Sequence, residues 1–415
     1  NYELPEDNDD DRDQGETDGT VTYINIDDGI EIEYTYEDGS FTTLTEEDMN
    51  RATRNFIEDA GEDFLQDAGV NFNIVNDKIV GIDYIALPSG TAQPTGDPLE
   101  IPFDGLILEG QGADNTTIEG DINVVADDVT IRNLTVDGEV TVAEGVEDFT
   151  AEGTNFDEMT LHGGGMDTVE LNNTTVETLN INAAVRVVLG AESSAADVNV
   201  NENVAGSEIE IDAEAEVTTL TAGAAVSVSG ASNVGTVEAN AEGVQLDKQP
   251  GAITGDHPVQ IGSDLVQKGN ATASARTVDG DNEDINPLGS VIIDLEFGDE
   301  ITSDQVESLE VSIYNGDRLL ATNILQTEKL DGKHETLSSP FNLGRSEIHD
   351  EWAWVRGEYP LLIDGVVNKS DLPNKVVATF VKDGVTYTSE IELDTSALEI
   401  PEPYVAPEDN KEEQE

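Results

Sequence analysis

The sequence predicts a mainly β chain: a parallel β-helix (β-solenoid) flanked by a small N-terminal α+β module and a C-terminal immunoglobulin-like β-sandwich. Three observations carry that expectation. Short apolar–polar–apolar triplets recur every 17 to 23 residues through the middle of the chain. Ahead of them stand alternating strands and one amphipathic helical stretch. Behind them, longer alternating runs are separated by turn signals such as Asn315-Gly316-Asp317 and Asp383-Gly384.

The N-terminal module is expected over residues 20–88. Ile30, Ile32, Tyr34 and Tyr36 alternate with polar residues, the period of a half-buried strand. Asp27-Asp28-Gly29 and Glu37-Asp38-Gly39 tolerate the positive φ of tight turns, so a three-stranded meander follows. Thr45 with Asp48 reads as the start of a helix, and Leu44 with Met49 as its hydrophobic staple. Met49, Ala52, Phe56, Ala60 and Phe64 form its expected buried stripe, and Gly69 its end. A hairpin turning at Asn76-Asp77 comes next, then a Pro- and Gly-containing linker from Pro88 to Pro98.

The solenoid is expected over residues 99–250. One set of triplets runs through Leu106-Ile107-Leu108, Val129-Thr130-Ile131, Phe149-Thr150-Ala151, Val169-Glu170-Leu171 and on to Val244-Gln245-Leu246. A second interleaves at Val140-Thr141-Val142, Met159-Thr160-Leu161, Leu179-Asn180-Ile181, Val198-Asn199-Val200, Val217-Thr218-Thr219 and Val237-Glu238-Ala239. Such a repeat means stacked coils, because one coil cannot bury its own inward residues. About seven coils at roughly 4.8 Å each would extend about 35 Å. Asn115-Thr116-Thr117, Asn133-Leu134-Thr135 and Asn172-Asn173-Thr174-Thr175 can stack as edge ladders. With Asn270-Ala271-Thr272 and Asn368-Lys369-Ser370 they also fit the glycosylation acceptor pattern, so a glycan is a candidate partner.

The sandwich is expected over residues 277–395, with Trp352 and Trp354 in its core or rim. Residues 1–19 and 396–415 are too charged and too poor in apolar groups to fold alone, and read as tails. The runs Val129 to Val136, Val169 to Val176 and Val185 to Leu189 together resemble the pectin-lyase-like β-helix modules of bacterial cell-surface proteins, often found beside S-layer homology domains. That resemblance covers about residues 99–250. It implies an extracellular, surface-associated protein; S-layer homology repeats themselves are not recognisable in the chain.

Composition narrows the function classes. Ninety Asp and Glu face 18 Lys and Arg, for a net charge of −72. Nucleic acid is therefore not an expected partner. On a surface of about 15,000 Å², net charges sit about 15 Å apart. Salt screens them fully only near 1 M, where the Debye length is about 3 Å. A saline or alkaline exterior suits such a surface. No run of 18 apolar residues exists, so membrane insertion is not expected. The chain starts at Asn1, read as the mature end of a secreted protein. It has no cysteine, which removes disulfide and thiol chemistry.

No catalytic residue is assigned. A lyase for acidic polysaccharide would need basic residues, and the solenoid offers Arg132, Arg186, Lys248 and His162 on different coils. Asp127-Asp128 reads as a turn, since neighbours on a strand face opposite sides. No cofactor is required. Ca²⁺ is the ligand the composition permits, with Asp7, Asp9 and Asp11 in the first tail and Asp279, Asp281 and Asp284 after the solenoid as candidate ligands. The leading expectation is a non-enzymatic structural protein that forms a filament, tube, sheath or lattice, as a homo-oligomer or polymer joined by terminal arms and β-edges. A surface adhesin or glycan-binding protein is the alternative.

Overall fold

The computed structural model describes residues 19–26, 29–36, 38–75, 78–113, 115–163, 168–280, 289–297, 306–325, 336–342, 354–355, 370, 372–394, 396, 398–400, 402 and 405. The chain divides into two compact units, Asn1–Gly262 and Ser263–Glu415.

The first unit is a β-solenoid of about eight turns, preceded by the meander and helix that share its core. Each turn presents three faces. On the first, strands from Lys78–Leu87 and Ile107–Gly110 through Val129–Arg132 to Val259–Ile261 lie parallel and in step. Phe149, Val169, Val187, Ile209, Val228 and Leu246 therefore form one inward column. On the third face, Leu99, Ile122, Val140, Met159, Leu179, Val198, Leu220 and Val237 form another. In–out–in alternation places two inward residues on each of these strands, which is why triplets marked them.

The second face was not legible as triplets. It contributes one inward residue per turn: Ala92, Ile118, Val136, Phe156, Val176, Ala195, Val217 and Val234. Val217 thus belongs here, and Leu220-Thr221-Ala222 is that turn's third-face triplet. The expected linker also differs. Gly90–Ala92 pairs in parallel with Thr116–Glu119, because the turn residues around it set a solenoid corner rather than a free spacer.

Corners are built from residues that accept a left-handed backbone. Asn133, Gly153 and Asn173 carry φ of 56°, 62° and 47° on successive rungs. A Cβ on Gly153 would lie 2.8 Å from the Asn133 Oδ1 atom, so a larger residue there would push the Asn133 side chain aside. Just inside this corner, Thr154, Thr174 and Ser193 are buried. Their hydroxyls donate to the carbonyls of Glu152 (3.0 Å), Asn172 (2.9 Å) and Leu171 (2.7 Å), so no polar group there is left unpaired.

At the N-terminal end the meander is Gly19–Asn25, Glu31–Tyr36 and Phe41–Thr45. The helix starts later than its sequence signal. Thr45 and Asp48 close a single 3₁₀ turn, Glu46–Asp48, and the α-helix is Arg51–Leu65 with Asn50 as N-cap, accepting from the Thr53 amide at 2.8 Å. That shift rotates the buried stripe: Thr53, Phe56, Ile57, Ala60, Phe64 and Leu65 are inside and Ala52 is exposed. Gly61, at φ 79°, kinks the helix, and the freed carbonyls of Ala60 and Asp59 accept from the amides of Thr95 (3.3 Å) and Gly96 (2.6 Å). Asp67, at φ 62°, makes the exit expected of Gly69, which instead opens the strand Gly69–Val75. Residues 76 and 77 lie outside the described residues, although Val75 pairs with Lys78 as the hairpin requires.

In the second unit, Val306–Asn315, Arg318–Ile324, Lys375–Lys382 and Val385–Glu392 form an antiparallel sheet, extended in parallel by Asp264–Lys268. Thr272–Val278, Ser290–Glu296 and Thr336–Asn342 form a second, three-stranded one. Val291, Ile293 and Leu295 of the second share a core with Leu309, Val311, Val376 and Phe380 of the first. Leu398 is buried in the same core, so the segment read as a tail from residue 396 begins as part of this unit. Trp352 lies outside the described residues.

Substituting inward Phe149 by Ala should cost about 3–5 kcal/mol, while outward Thr150→Ala should stay within about 0.5 kcal/mol. Urea midpoints of the first unit's unfolding check this; equal losses would contradict the assigned register.

Candidate functional site

Polar chemistry in the first unit concentrates where outward side chains of neighbouring rungs meet. On the first face, Arg132 is in register with Glu109, one turn earlier. The Arg132 Nη2 donates to Glu109 Oε2 at 2.7 Å and its Nε at 3.0 Å. Tyr84 Oη donates to the same oxygen at 2.6 Å, and Asn133 Nδ2 to Glu109 Oε1 at 3.1 Å. This cluster ties the strand Lys78–Leu87 to the next two turns. Burial and the adjacent Glu109 carboxylate push the Tyr84 hydroxyl up to about 12. Burial alone would raise the Glu109 carboxyl, but the hydrogen bonds from Tyr84, Arg132 and Asn133 outweigh it and hold the group below the usual range. The 23-residue offset between Glu109 and Arg132, equal to one repeat, was the available sequence signal.

Arg186 is used similarly. Its Nε and Nη2 both lie 2.9 Å from the two oxygens of Glu210, and its Nη1 donates to Thr168 Oγ1 at 2.8 Å. The two guanidinium groups that sequence reading raised as anion binders are thus engaged by carboxylates of their own chain. Lys248 follows Asp247, whose carboxyl burial raises; hydrogen bonds from the Ala231 and Gly230 amides and the Lys248 charge outweigh that and lower it.

Asp127-Asp128 sits at the corner before the first face. Asp128 has φ 58°, and Asp127 accepts from the Glu147 amide at 2.6 Å. Asp104 receives the Asp127 amide at 3.1 Å, and Asp148 that of Thr168 at 3.0 Å. These carboxylates form a ladder in which each caps a backbone N–H of the following turn. His162 lies exposed at the end of the strand Asn155–Leu161.

Of the six candidate Ca²⁺ ligands, Asp7, Asp9, Asp11, Asp281 and Asp284 lie outside the described residues. Asp279 accepts from the Glu402 amide at 2.8 Å, while the Gly280 amide donates to the Glu402 carbonyl at 2.7 Å. Its carboxylate therefore fastens the C-terminal segment to its unit. Among the described residues, no three His, Asp or Glu gather at metal-binding distance.

One open depression of about 410 Å³ lies on the first face, lined in part by Glu208, Glu210, Ser227, Ser229, Gln245 and Gln260. It offers amides, hydroxyls and carboxylates. Glu210 within it is already paired with Arg186.

Tyr84 binds its proton more tightly when folded, so its contribution is complete below the ordinary tyrosine value near 10 and is lost as pH climbs toward about 12. Glu109, lowered, contributes above the ordinary carboxylate range and loses that contribution as pH falls through its depressed value. Stability measured against pH should therefore decline between about pH 10 and 12, and Tyr84→Phe should flatten that decline. An identical alkaline limb in the variant would remove Tyr84 from this role.

A scan of family models, a search of curated proteins and a search of solved structures each returned no match to this chain.

Proposed function

We propose that this chain is a structural component of an extracellular assembly, a filament, sheath or surface lattice, working in saline or alkaline surroundings. The observation that carries the reading is where its polar groups are committed. Glu109, Arg132, Arg186, Asp104, Asp127 and Asp148 all bond across rungs and so tie each coil of the solenoid to the next. Such a solenoid serves as a spacer or strut.

The pectin-lyase-like resemblance of residues 99–250 and the immunoglobulin-like reading of the C-terminal strands fit the same picture of a modular surface protein. The charge sets the conditions. At −72 per copy, subunits repel until salt shortens the Debye length, so assembly belongs to concentrated electrolyte. Ca²⁺, through Asp7, Asp9 and Asp11 or through Asp281 and Asp284, would add to that screening.

A second reading, glycan binding as an adhesin, is favoured by the depression carrying Ser227, Gln245 and Gln260, whose hydroxyl and amides suit neutral sugars. Binding of dispersed protein on a glycan array would support it.

Negative-stain microscopy of purified protein across salt and Ca²⁺ should give ordered polymers or sheets at molar salt. Dispersed particles at every condition would overturn the assembly reading.

A further inference from the structure

The third face of the solenoid carries a strip that does not share the charge of the rest. Its central outward column is Asn123, Thr141, Thr160, Asn180, Asn199 and Thr221, in continuous parallel register over six rungs; Thr160 is buried at 6% exposure and the other five are half-buried. None is charged. The adjacent column, Val125, Ala143, His162, Asn182, Asn201 and Gly223, contains no Asp, Glu, Lys or Arg, and His162 is its one titratable side chain. Carboxylates close the strip at both ends: Glu100 is in register with Asn123, and Glu238 with Thr221.

The fold does not require this neutrality. On the opposite side of the same central column, Glu139 and Glu158 are direct register partners, and the Asp121 carboxylate accepts the Glu139 amide at 2.8 Å. Stacked carboxylates are therefore accommodated on this very face. Relief of rung-to-rung repulsion does not by itself demand a neutral strip six rungs long in a chain of net charge −72, since Glu139 and Glu158 stack directly beside it.

Its hydrogen-bonding chemistry points to an occupant. A carboxylate only accepts hydrogen bonds, so a carboxylate surface cannot pair with its own copy. Amides and hydroxyls both donate and accept, and a strip of them is complementary to itself. Within the chain this pairing already occurs, since Asn199 Nδ2 donates to Asn180 Oδ1 at 3.1 Å and Asn180 Nδ2 to Glu158 Oε1 at 2.8 Å. We infer that the strip is the contact through which a second copy of this chain packs side by side, two strips meeting about a twofold axis.

The inference rests on the assembly reading and names its lateral interface. Five steps of about 4.8 Å give a length near 24 Å, and the two columns lie about 7 Å apart. The area covered is on the order of 200 Å², well below the roughly 800 Å² per partner of a stable dimer. The contact is therefore weak singly. It forms where salt suppresses the surrounding repulsion, and it gains strength by repetition.

Placing Glu at both Thr141 and Thr221 should raise the concentration needed for lateral association at molar salt at least tenfold. Thr130→Glu with Thr150→Glu, the same added charge on the first face, should leave it near the parent value. Circular dichroism and urea midpoints establish that each variant is folded. As an independent measurement, the chain has no cysteine, so Thr141→Cys and Thr221→Cys supply single thiols of similar size to the residues replaced. Their maleimide labelling should slow at least tenfold on assembly. Unchanged association of the Glu variant, or equal labelling in assembled and dispersed protein, would overturn the strip as interface while leaving assembly itself standing. Failure of the parent protein to associate at any salt would overturn both.

Discussion

Every other feature of the first unit depends on one constraint: an apolar residue pointing into a coil two or three residues wide can leave water only when the coils above and below cover it. Phe149 between Val129 and Val169, or Leu179 between Met159 and Val198, has no other way to be buried. Parallel, in-step pairing follows, since a slip of one residue would turn each inward column out to solvent. So does the need for an end piece. The helix Arg51–Leu65 and the meander place Phe56, Ile57 and Tyr34 in the same core as Leu99 and Leu108, covering the first rungs.

In-step stacking also governs the polar side chains. Whatever stands at one outward position faces its counterpart about 4.8 Å away on the next rung. With so many carboxylates, that geometry would accumulate repulsion. It is relieved by setting Arg132 beside Glu109 and Arg186 beside Glu210, and by turning Asp104, Asp127 and Asp148 into caps for backbone amides. Elsewhere Thr and Asn interrupt the columns. The same side chains that hold the coil together are thus those a reader of the sequence would first suspect of chemistry.

How far the sequence could be read followed from how each element buries itself. The first and third faces hide two residues per strand, so their triplets stood out at a period of two. The second face hides one, flanked by Thr and acidic residues, and Val217 was consequently assigned to the wrong face. Thr45 and Asp48 do interact, but a 3₁₀ turn intervenes and Asn50 caps the helix, which exposes Ala52 and buries Thr53. Pro88 to Pro98 has the composition of a linker because corner residues and linker residues are the same residues. The Glu109 cluster was missed because its members, Tyr84, Glu109 and Arg132, are distant in sequence and meet only once the repeat length is applied.

The parallel winding can be measured directly, because a chain without cysteine accepts spin labels only where cysteines are placed. Thr130, Glu210 and Gln245 are outward on the first face, with Glu210 four rungs and Gln245 six rungs from Thr130. Pairs of labels replacing Thr130 with Glu210 and Thr130 with Gln245 should report about 19 Å and about 29 Å, growing by one rung spacing per turn. Distances that fail to increase with the number of turns, as paired hairpins would give, would contradict a stacked coil.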